Sequence, residues 1–368
     1  MTDNQKKRVL IIGTNMMAIY NHRLELIKAL LKHYIVTVAA PTGGEEQELI
    51  KLGCHFIDNP VDNRGTNLKT DLQLMKKLAD IYKETKADII LTFYTKTNIY
   101  GGLVARFLNK PYIENICGLG SSLGKDNLLS KIMGQLYKGA LKKADLVFFQ
   151  NESNRKFFVN KKLYNGKYEM LPGSGVSLER YQLLPYPPAE KTEFLFASRL
   201  LKEKGFEDYV DAAYEIKKKY PETVFHVVGP CDPECEEKLD KAIEDGIVVN
   251  HGKLFHLHDI LKKIHCTVHP SYYPEGMSNI LLESAASGRP IITTPLPGCI
   301  ETVNDNITGF IVKEKDAHAL ARMLEKFILL DYDQKKKMGE AGREKMEREF
   351  DRNIVTDKYL LAIEEIIN

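Results

Sequence analysis

Two carboxylates eight residues apart have the clearest chemical meaning in this sequence. Glu275 stands in a loop after a predicted strand, and Glu283 lies about one turn inside the predicted helix that follows. Gly276 lets the backbone approach a ligand closely, and the amides of Met277 and Ser278 would point at an anion at the helix N-terminus. A carboxylate beside an anion suits a ligand with hydroxyl donors, such as a sugar or ribose. Spacing alone leaves a second reading equally open, in which Glu275 caps the helix and Glu283 is solvated.

A basic group follows another predicted strand. Ser198 and Arg199 end the run Phe194–Ala197, and Lys204 stands before Gly205 at the start of the next predicted helix. A guanidinium and an ammonium at a strand end, facing a helix N-terminus, suit a diphosphate. A solvated basic loop fits the same pattern, and the residues leave both interpretations open.

The elements that must position these residues alternate along the chain. Short apolar runs such as Val9–Ile12 and Tyr34–Ala40 are separated by segments with helical periodicity. The stretch from Pro172 to Pro188, rich in Pro, Gly and Ser, predicts a linker, and the alternation restarts at Glu193–Ala197. This pattern predicts an α/β chain with two Rossmann-like domains built on parallel sheets. In such sheets ligands bind beyond the carboxyl ends of the strands, where both groups above lie.

Composition and motifs exclude several classes of protein. No run of about 18 apolar residues predicts a transmembrane helix, and the polar N-terminus lacks a secretory signal. Gly13 is the one glycine of its loop, whereas a dinucleotide fingerprint carries three, so a dehydrogenase is disfavoured. The six scattered cysteines suggest reduced thiols in a cytosolic protein. We expect no metal, no cofactor and no nucleic-acid partner, and the oligomeric state stays open.

The charge is unevenly divided between the halves of the chain. Residues 1–185 hold 27 Lys and Arg against 17 Asp and Glu, a net +10, whereas residues 186–368 hold 25 against 33, a net −8. The first half is therefore predicted to face something anionic.

Four segments together resemble the retaining family 4 glycosyltransferases, and the resemblance covers essentially the whole chain. They are Ser198-Arg199-Leu200 with Lys204-Gly205, the run from Glu275 to Pro290, Pro297-Gly298-Cys299-Ile300-Glu301, and Asn306-Ile307-Thr308-Gly309-Phe310. The resemblance implies the GT-B fold, with two Rossmann-like domains facing a central cleft. Residues 1–185 would bind the acceptor and residues 186–350 the nucleotide-sugar. A C-terminal helix, residues 351–368, would cross back to the first domain.

The resemblance also implies roles for single residues. Arg199 and Lys204 would neutralise the donor diphosphate, and Glu275 would hold the donor sugar, so these three form the predicted catalytic set. Glu283 would bind the ribose. The other predicted donor-binding residues are Gly13, Ser198, Lys253, Leu254, Gly276, Met277 and Ser278. Retention would proceed without a protein nucleophile and without Mg²⁺, because the two cations would stabilise the leaving diphosphate.

Segments of the first half look like one branch of this family. They are Tyr20-Asn21-His22-Arg23, Lys96 to Gly101, Gly118 to Ser121, and Asn151 to Asn154. Members of that branch add N-acetylgalactosamine or related sugars to undecaprenyl-diphosphate-linked saccharides for N-glycans, capsule or O-antigen. The likeness implies a UDP-sugar donor, a lipid-linked acceptor and a place on the cytoplasmic face of the cell membrane. It also implies a set of acceptor-binding residues: Arg23, Lys96, Asn98, Gly118, Gly120 and Ser121.

The sequence departs from the family pattern at one position, and two rival interpretations stay open. Many members carry a histidine after the strand predicted at Pro111–Ile116, where this chain has Glu114, Asn115 and Cys117, so no single catalytic side chain is predicted there. The rivals are a UDP-sugar epimerase of the same fold and a non-catalytic subunit that binds a transferase. The second rival is disfavoured, because a subunit that only binds need not keep Arg199, Lys204, Glu275 and Glu283.

The segment Leu128–Lys143 is predicted to be a helix that docks on an anionic membrane. Its apolar residues repeat on one helical face, and four lysines accompany them: Lys131, Lys138, Lys142 and Lys143. A core helix with a solvated basic face is the alternative that the apolar stripe alone favours.

Overall fold

The computed structural model describes residues 6–61, 67–119, 123, 127–188, 190–254 and 257–367. The chain divides into two compact units. The first comprises Met1–Gly175, Glu275–Met277 and Arg352–Asn368, and the second comprises Val176–Pro274 and Ser278–Asp351. The division falls inside the predicted linker, and the acceptor-binding and donor-binding roles of the two halves remain predictions.

The described part of the first unit contains a seven-stranded parallel sheet in the order β3-β2-β1-β4-β5-β6-β7. The strands are β1 Arg8–Ile12, β2 Ile35–Ala40, β3 His55–Asp58, β4 Ile89–Phe93, β5 Tyr112–Ile116, β6 Leu146–Phe149 and β7 Tyr168–Met170. Every residue of β4, β5 and β6 is buried, as expected for parallel strands covered on both faces.

Before its C-terminal helix, the described part of this unit has the helices α1 Met16–Leu31, α2 Glu46–Lys51, α3 Leu68–Thr85, α4 Thr95–Phe107, α5 Leu128–Leu141 and α6 Glu152–Asn160. Four of them begin after an asparagine whose side-chain oxygen accepts a backbone N–H of the first turn: Asn15, Asn67, Asn127 and Asn151. This cap satisfies a donor that the helix itself leaves unpaired.

The described part of the second unit repeats the plan with six parallel strands in the order β10-β9-β8-β11-β12-β13. They are β8 Glu193–Ala197, β9 Val224–Val228, β10 Val248–Asn250, β11 Cys266–His269, β12 Ile291–Thr293 and β13 Gly309–Ile311. The helices are α7 Phe206–Lys219, α8 Glu236–Glu244, α9 His258–Leu261, α10 Asn279–Ala286, α11 Ala317–Ile328 and α12 Tyr332–Lys345. The predicted α/β class with two Rossmann-like sheets is confirmed.

The C-terminal helix α13, Arg352–Ile367, belongs to the first unit, as predicted. Its Tyr359 is fully buried, and the ring centroid lies 4.6 Å from that of Phe148 and 6.0 Å from that of Phe93. Arg352 donates to the Glu25 carboxylate at 2.7 Å and to the Gly175 carbonyl at 3.1 Å. Aromatic packing and a partly buried ion pair thus fix this helix within the first unit.

Within the ranges that the structure describes, no helix has both the length and the apolar character needed to cross a membrane.

Candidate active site

In the second unit, the strand order reverses between β8 and β11, and ligands of open parallel sheets bind at such a switch point. The loop after β8 packs on the loop after β11 at this point. Gly205 has a φ of +76°, and an added Cβ would lie 2.3 Å from the Pro270 carbonyl oxygen. The Tyr272 amide donates to the Glu203 carbonyl at 2.8 Å. Glycine is therefore required at position 205 to bring the two loops together.

The predicted cations lie in the first of these loops. Ser198 and Arg199 follow β8 directly, both half-buried, and Lys204 ends a single 3₁₀ turn at Lys202–Lys204. The Lys204 ammonium lies 4.7 Å from the centroid of the Tyr273 ring. This cation–π contact orients the ammonium.

The loops after β9 and β10 extend this edge of the sheet. An added Cβ at Gly229 would lie 1.8 Å from the Ser198 carbonyl oxygen, so only glycine fits beside Ser198. The Gly229 amide donates to the Gly252 carbonyl at 2.8 Å. Lys253 and Leu254 come next and are exposed, so both are accessible to a ligand at the carboxyl edge.

The start of α10 differs in one respect from the prediction. The Ser278 amide, expected to point at an anion, donates instead to the Gly298 carbonyl at 2.8 Å. The Ser278 hydroxyl is buried and has no hydrogen-bond partner among the described residues. A ligand at this helix end would therefore meet the hydroxyl of Ser278 rather than its amide. Glu283 lies within α10, half-buried.

Glu275, Gly276 and Met277 are held by the first unit. An added Cβ at Gly276 would lie 2.0 Å from the Cys117 carbonyl oxygen, and one at Gly118 would lie 3.0 Å from the Gly276 nitrogen. Gly118 itself has a φ of +142°. Two predicted ligand-binding glycines thus serve a close contact between two backbone segments.

Asn151 clamps the same segment, and the sequence did not predict this role. Its Nδ2 donates to the Gly276 carbonyl at 2.6 Å and to the Glu275 carbonyl at 3.1 Å, while its Oδ1 accepts from the Asn154 amide. One side chain therefore caps α6 and fixes the backbone that carries the half-buried Glu275. The position of Asn151 directly before a helix could be recognised from the sequence, whereas its hydrogen bonds to the distant Glu275–Gly276 segment could not.

Arg23, predicted to bind the acceptor, is 1% exposed. Its guanidinium lies 4.4 Å from the centroid of the Phe93 ring, and Nη2 lies 3.8 Å from the Cys117 sulfur. The described residues provide no carboxylate to pair with it, and its Nε has no hydrogen-bond partner among them. A buried cation without a counter-ion is costly unless a ligand supplies the negative charge.

Lys96 and Asn98 are already engaged. The Lys96 ammonium lies 3.0 Å from the Asp71 carboxylate, which also accepts from the Tyr100 hydroxyl at 2.7 Å. Asn98 is fully buried and donates to the Asn115 carbonyl at 2.8 Å. Their roles in acceptor binding remain predictions. Gly120 and Ser121 lie outside the described residues.

Gly13 follows β1, and the first sheet reverses between β1 and β4. The Gly13 amide donates to the Ala39 carbonyl at 3.0 Å, and an added Cβ would lie 2.5 Å from Cγ1 of Ile19. Packing against α1 therefore accounts for glycine at this position. Its contact with the donor stays a prediction.

An amide and a thiol occupy the position where many members of the resembling family carry a histidine. Asn115 donates to the Tyr359 hydroxyl at 2.7 Å, and its Oδ1 accepts from Gln150 at 3.2 Å. Burial raises the pKa of the Cys117 thiol, although Arg23 opposes the shift. The thiol is therefore neutral near pH 7 and a poor general base.

Glu114 points into the core on the α4 side of β5. Its side chain is fully buried, and neither carboxylate oxygen has a hydrogen-bond partner among the described residues. An added Cβ at Gly102 would lie 2.0 Å from one of these oxygens. Burial raises the pKa of Glu114 well above its usual 4.5, so the folded protein keeps this carboxyl protonated above the pH at which a solvated glutamate ionises.

We expect Glu114→Gln to flatten the dependence of stability on pH. Above about pH 4.5 the unfolded chain releases a proton that the folded chain keeps. The contribution of this group to the free energy of unfolding is fully present below that pH. It falls by about 1.4 kcal/mol per pH unit as the pH rises towards the pKa of the folded state. Urea unfolding at pH 5 and pH 8 measures this loss, which should be smaller in the glutamine variant. Equal losses in both proteins would contradict a buried neutral carboxyl.

Comparison with known proteins agrees with this geometry. Residues 8–151 match the family model described as "Glycosyl transferase 4-like", and residues 186–345 match "Glycosyl transferases group 1". The chain therefore carries both glycosyl transferase domains and is a glycosyltransferase with the GT-B fold. The predicted family and enzyme class are confirmed.

Two curated relatives cover nearly the whole chain. The N,N'-diacetylbacillosaminyl-diphospho-undecaprenol alpha-1,3-N-acetylgalactosaminyltransferase of Campylobacter jejuni is 28% identical over 95% of this chain and 96% of its own length. The capsular polysaccharide biosynthesis glycosyltransferase CapM of Staphylococcus aureus is 24% identical over 96% of each chain.

Solved structures share the fold at low sequence identity. The sucrose-phosphate synthase of Thermosynechococcus elongatus superposes with a TM-score of 0.81 and 18% identity, over 98% of this chain and 99% of its own. Anabaena HepE, solved with UDP and glucose, gives a TM-score of 0.81 at 15% identity, over 98% of this chain and all of its own.

Proposed function

We propose that this enzyme transfers an N-acetylhexosamine from a UDP-sugar to an undecaprenyl-diphosphate-linked saccharide, with retention of anomeric configuration, in the assembly of a bacterial glycan. The observation that carries the proposal is the likeness over 95% of the chain to a Campylobacter transferase whose acceptor is a diphospho-undecaprenol. The complex of HepE with UDP and glucose supports a UDP-sugar donor. Capsule, O-antigen and N-glycan assembly are the processes that would use such a product.

The second unit would stabilise the leaving group. As the bond from the anomeric carbon to the diphosphate breaks, negative charge develops on UDP. The Arg199 guanidinium and the Lys204 ammonium, which lies over Tyr273, would face that charge from the edge of the sheet. Fixed cations at a developing anion accelerate such a step by electrostatic stabilisation.

The acceptor hydroxyl would attack the anomeric carbon from the face that the diphosphate leaves. The new glycosidic bond forms as the old one breaks, and the hydroxyl proton passes to a β-phosphate oxygen of the departing UDP. No protein base is needed, in accord with the neutral Cys117 thiol. The half-buried Glu275, whose backbone Asn151 fixes, would hold the hydroxyls of the donor sugar during transfer.

Arg23 supports an anionic acceptor in the first unit. Its buried guanidinium has no carboxylate partner within the described ranges, and an acceptor diphosphate would supply the missing charge. The net +10 of residues 1–185 would attract such an acceptor from a distance.

The donor base can be tested by thermal shift. We expect UDP to raise the unfolding temperature, and GDP and ADP at the same concentration to leave it nearly unchanged. At a ligand concentration 100 times Kd, the stabilisation is about 2.7 kcal/mol. A response to GDP or ADP larger than that to UDP would refute a UDP-sugar donor.

The helix α5 supports docking on a membrane. Its second half buries Tyr137, Ala140 and Leu141 in the first unit, which agrees with the core-helix interpretation. Its first turns expose Leu128 by 74% and Ile132 by 48%. The exposed lysines Lys131, Lys138, Lys142 and Lys143 accompany these apolar residues. We therefore infer that the N-terminal end of α5 and these four lysines contact an anionic bilayer.

Liposome flotation tests this docking. Each lysine near an anionic surface contributes about 1 kcal/mol, so replacing all four by glutamate is expected to abolish flotation with anionic liposomes at low salt. A matched control replaces four exposed lysines of another surface: Lys218, Lys241, Lys262 and Lys263. Equal flotation of the α5 variant and the wild type would show that α5 does not dock.

A further inference from the structure

A groove of about 730 Å³ lies in the first unit beside α5 and α6. This volume falls within the range of about 300–1,000 Å³ typical of small-molecule sites. Apolar side chains of both helices and of the turn after α6 line it, chiefly Ile132, Leu136, Phe157 and Leu163. No residue that we assign to the donor or the acceptor saccharide lines this groove.

The wall of the groove is largely apolar. Its Ser130 hydroxyl donates to the Leu123 carbonyl at 2.8 Å, so this polar group already has a hydrogen-bond partner. Gly134 forms part of the wall, where an added Cβ would lie 3.4 Å from Cδ2 of Leu163. A larger side chain at position 134 would narrow the groove. The wall is thus open and largely apolar.

Two cations stand at this apolar wall. Lys131 and Lys161 line the groove, both are exposed, and neither forms an ion pair with another described residue. An apolar groove with two unpaired ammonium groups is complementary to an anionic amphiphile. The hydrocarbon chain would lie in the groove, and the phosphate would contact the two lysines. The exposed Leu128 continues the apolar surface from the same helix, so a long chain could leave the groove along α5.

We propose that this groove binds the isoprenoid chain of the acceptor lipid, with Lys131 and Lys161 beside its phosphate. The proposal rests on the proposed function, because it takes the acceptor to be a prenyl diphosphate. It adds a subsite that recognises the lipid rather than the saccharide. A bilayer phospholipid is the other amphiphile with this chemistry, and the experiment separates the two.

Binding can be measured directly, because the chain contains no tryptophan. Phe157→Trp places a single fluorophore on the groove wall. We expect geranylgeranyl phosphate in detergent micelles to shift its emission to shorter wavelength with saturation, and geranylgeraniol to bind at least tenfold more weakly. Leu136→Trp, at a half-buried position of the same wall, serves as a second reporter if the first variant does not fold.

The same reporter distinguishes the lipid source. Phosphatidylglycerol in the same micelles should neither reproduce the saturable shift nor displace the prenyl phosphate. An equal response to phosphatidylglycerol would identify a phospholipid site and overturn the proposal. An unchanged emission at saturating prenyl phosphate would overturn it as well.

Kinetics separate a failure of the groove from a failure of the proposed function. We expect the wild type to favour an undecaprenyl acceptor over a farnesyl acceptor at least tenfold in kcat/KM. In detergent micelles, where no bilayer is present, Ile132→Glu should remove that preference by lowering kcat/KM for the undecaprenyl acceptor at least tenfold more than for the farnesyl acceptor. The matched control is Leu72→Glu, at an exposed leucine of α3. A retained preference in Ile132→Glu would refute the groove, whereas no transfer to either acceptor by the wild type would refute the proposed function.

Discussion

Replacing Arg199 or Lys204 by alanine is expected to lower the turnover of transfer about 10²–10³-fold. Both cations lie in the loop after β8, at the switch point of the second sheet. Because the diphosphate gains charge as it leaves, their contribution is larger in the transition state than in the bound donor. The two substitutions should therefore lower kcat much more than they change KM.

Initial rates with purified variants measure this effect, with the unfolding temperature as a check on folding. Lys202→Ala is the matched control, since Lys202 belongs to the same 3₁₀ turn. Its side chain is 61% exposed and lies 3.4 Å from the Glu207 carboxylate. We expect Lys202→Ala to retain nearly full activity. Activity within twofold of the wild type in both Arg199→Ala and Lys204→Ala would refute their assigned role.

Gly276→Ala is expected to reduce kcat/KM at least 10²-fold. The new methyl would lie 2.0 Å from the backbone oxygen and 2.5 Å from the carbonyl carbon of Cys117, and neither atom can rotate away. The Glu275–Met277 segment must then move and carry Glu275 with it. A displacement of about 1 Å in a positioned group can cost 10²-fold in rate. The variant Gly342→Ala is a suitable control, because the nearest atom to an added Cβ there lies 3.7 Å away, at ordinary van der Waals contact.

Asn151→Asp tests the same segment without steric overlap. The aspartate keeps an oxygen to cap α6 and loses the amide donor to the Gly276 carbonyl. We expect a smaller loss of rate, about tenfold, and a lower unfolding temperature, because a buried carboxylate oxygen then faces two carbonyl oxygens. Wild-type kinetics in both Gly276→Ala and Asn151→Asp would show that the position of Glu275 does not matter for transfer.

The alternation of apolar runs and helical periodicity was sufficient to predict the fold class. Elements with weak patterns were missed. Strands β7 and β13 have three residues each and lack the pair of β-branched residues that β10 and β12, of the same length, carry. Helix α12 is strongly polar, and its start is fixed by a capping box of Asp331 and Gln334 rather than by an apolar stripe.

The residue types of the site could be predicted from the sequence, whereas the surroundings of these residues could be predicted only in part. A basic pair after one strand and a carboxylate after another can be read from local sequence. The burial of Arg23 and the pairing of Lys96 with Asp71 depend on packing between distant elements. The bond from Asn151 to Gly276 joins residues 125 positions apart, which no local pattern specifies.

The most direct test is transfer from a UDP-N-acetylhexosamine to an undecaprenyl-diphosphate-linked saccharide, with the anomeric configuration of the product determined by NMR. We predict an α-linked product from the α-linked donor, formed at the same rate with and without EDTA. An inverted linkage, a requirement for Mn²⁺ or Mg²⁺ after chelation, or epimerised donor in place of a transfer product would contradict this account.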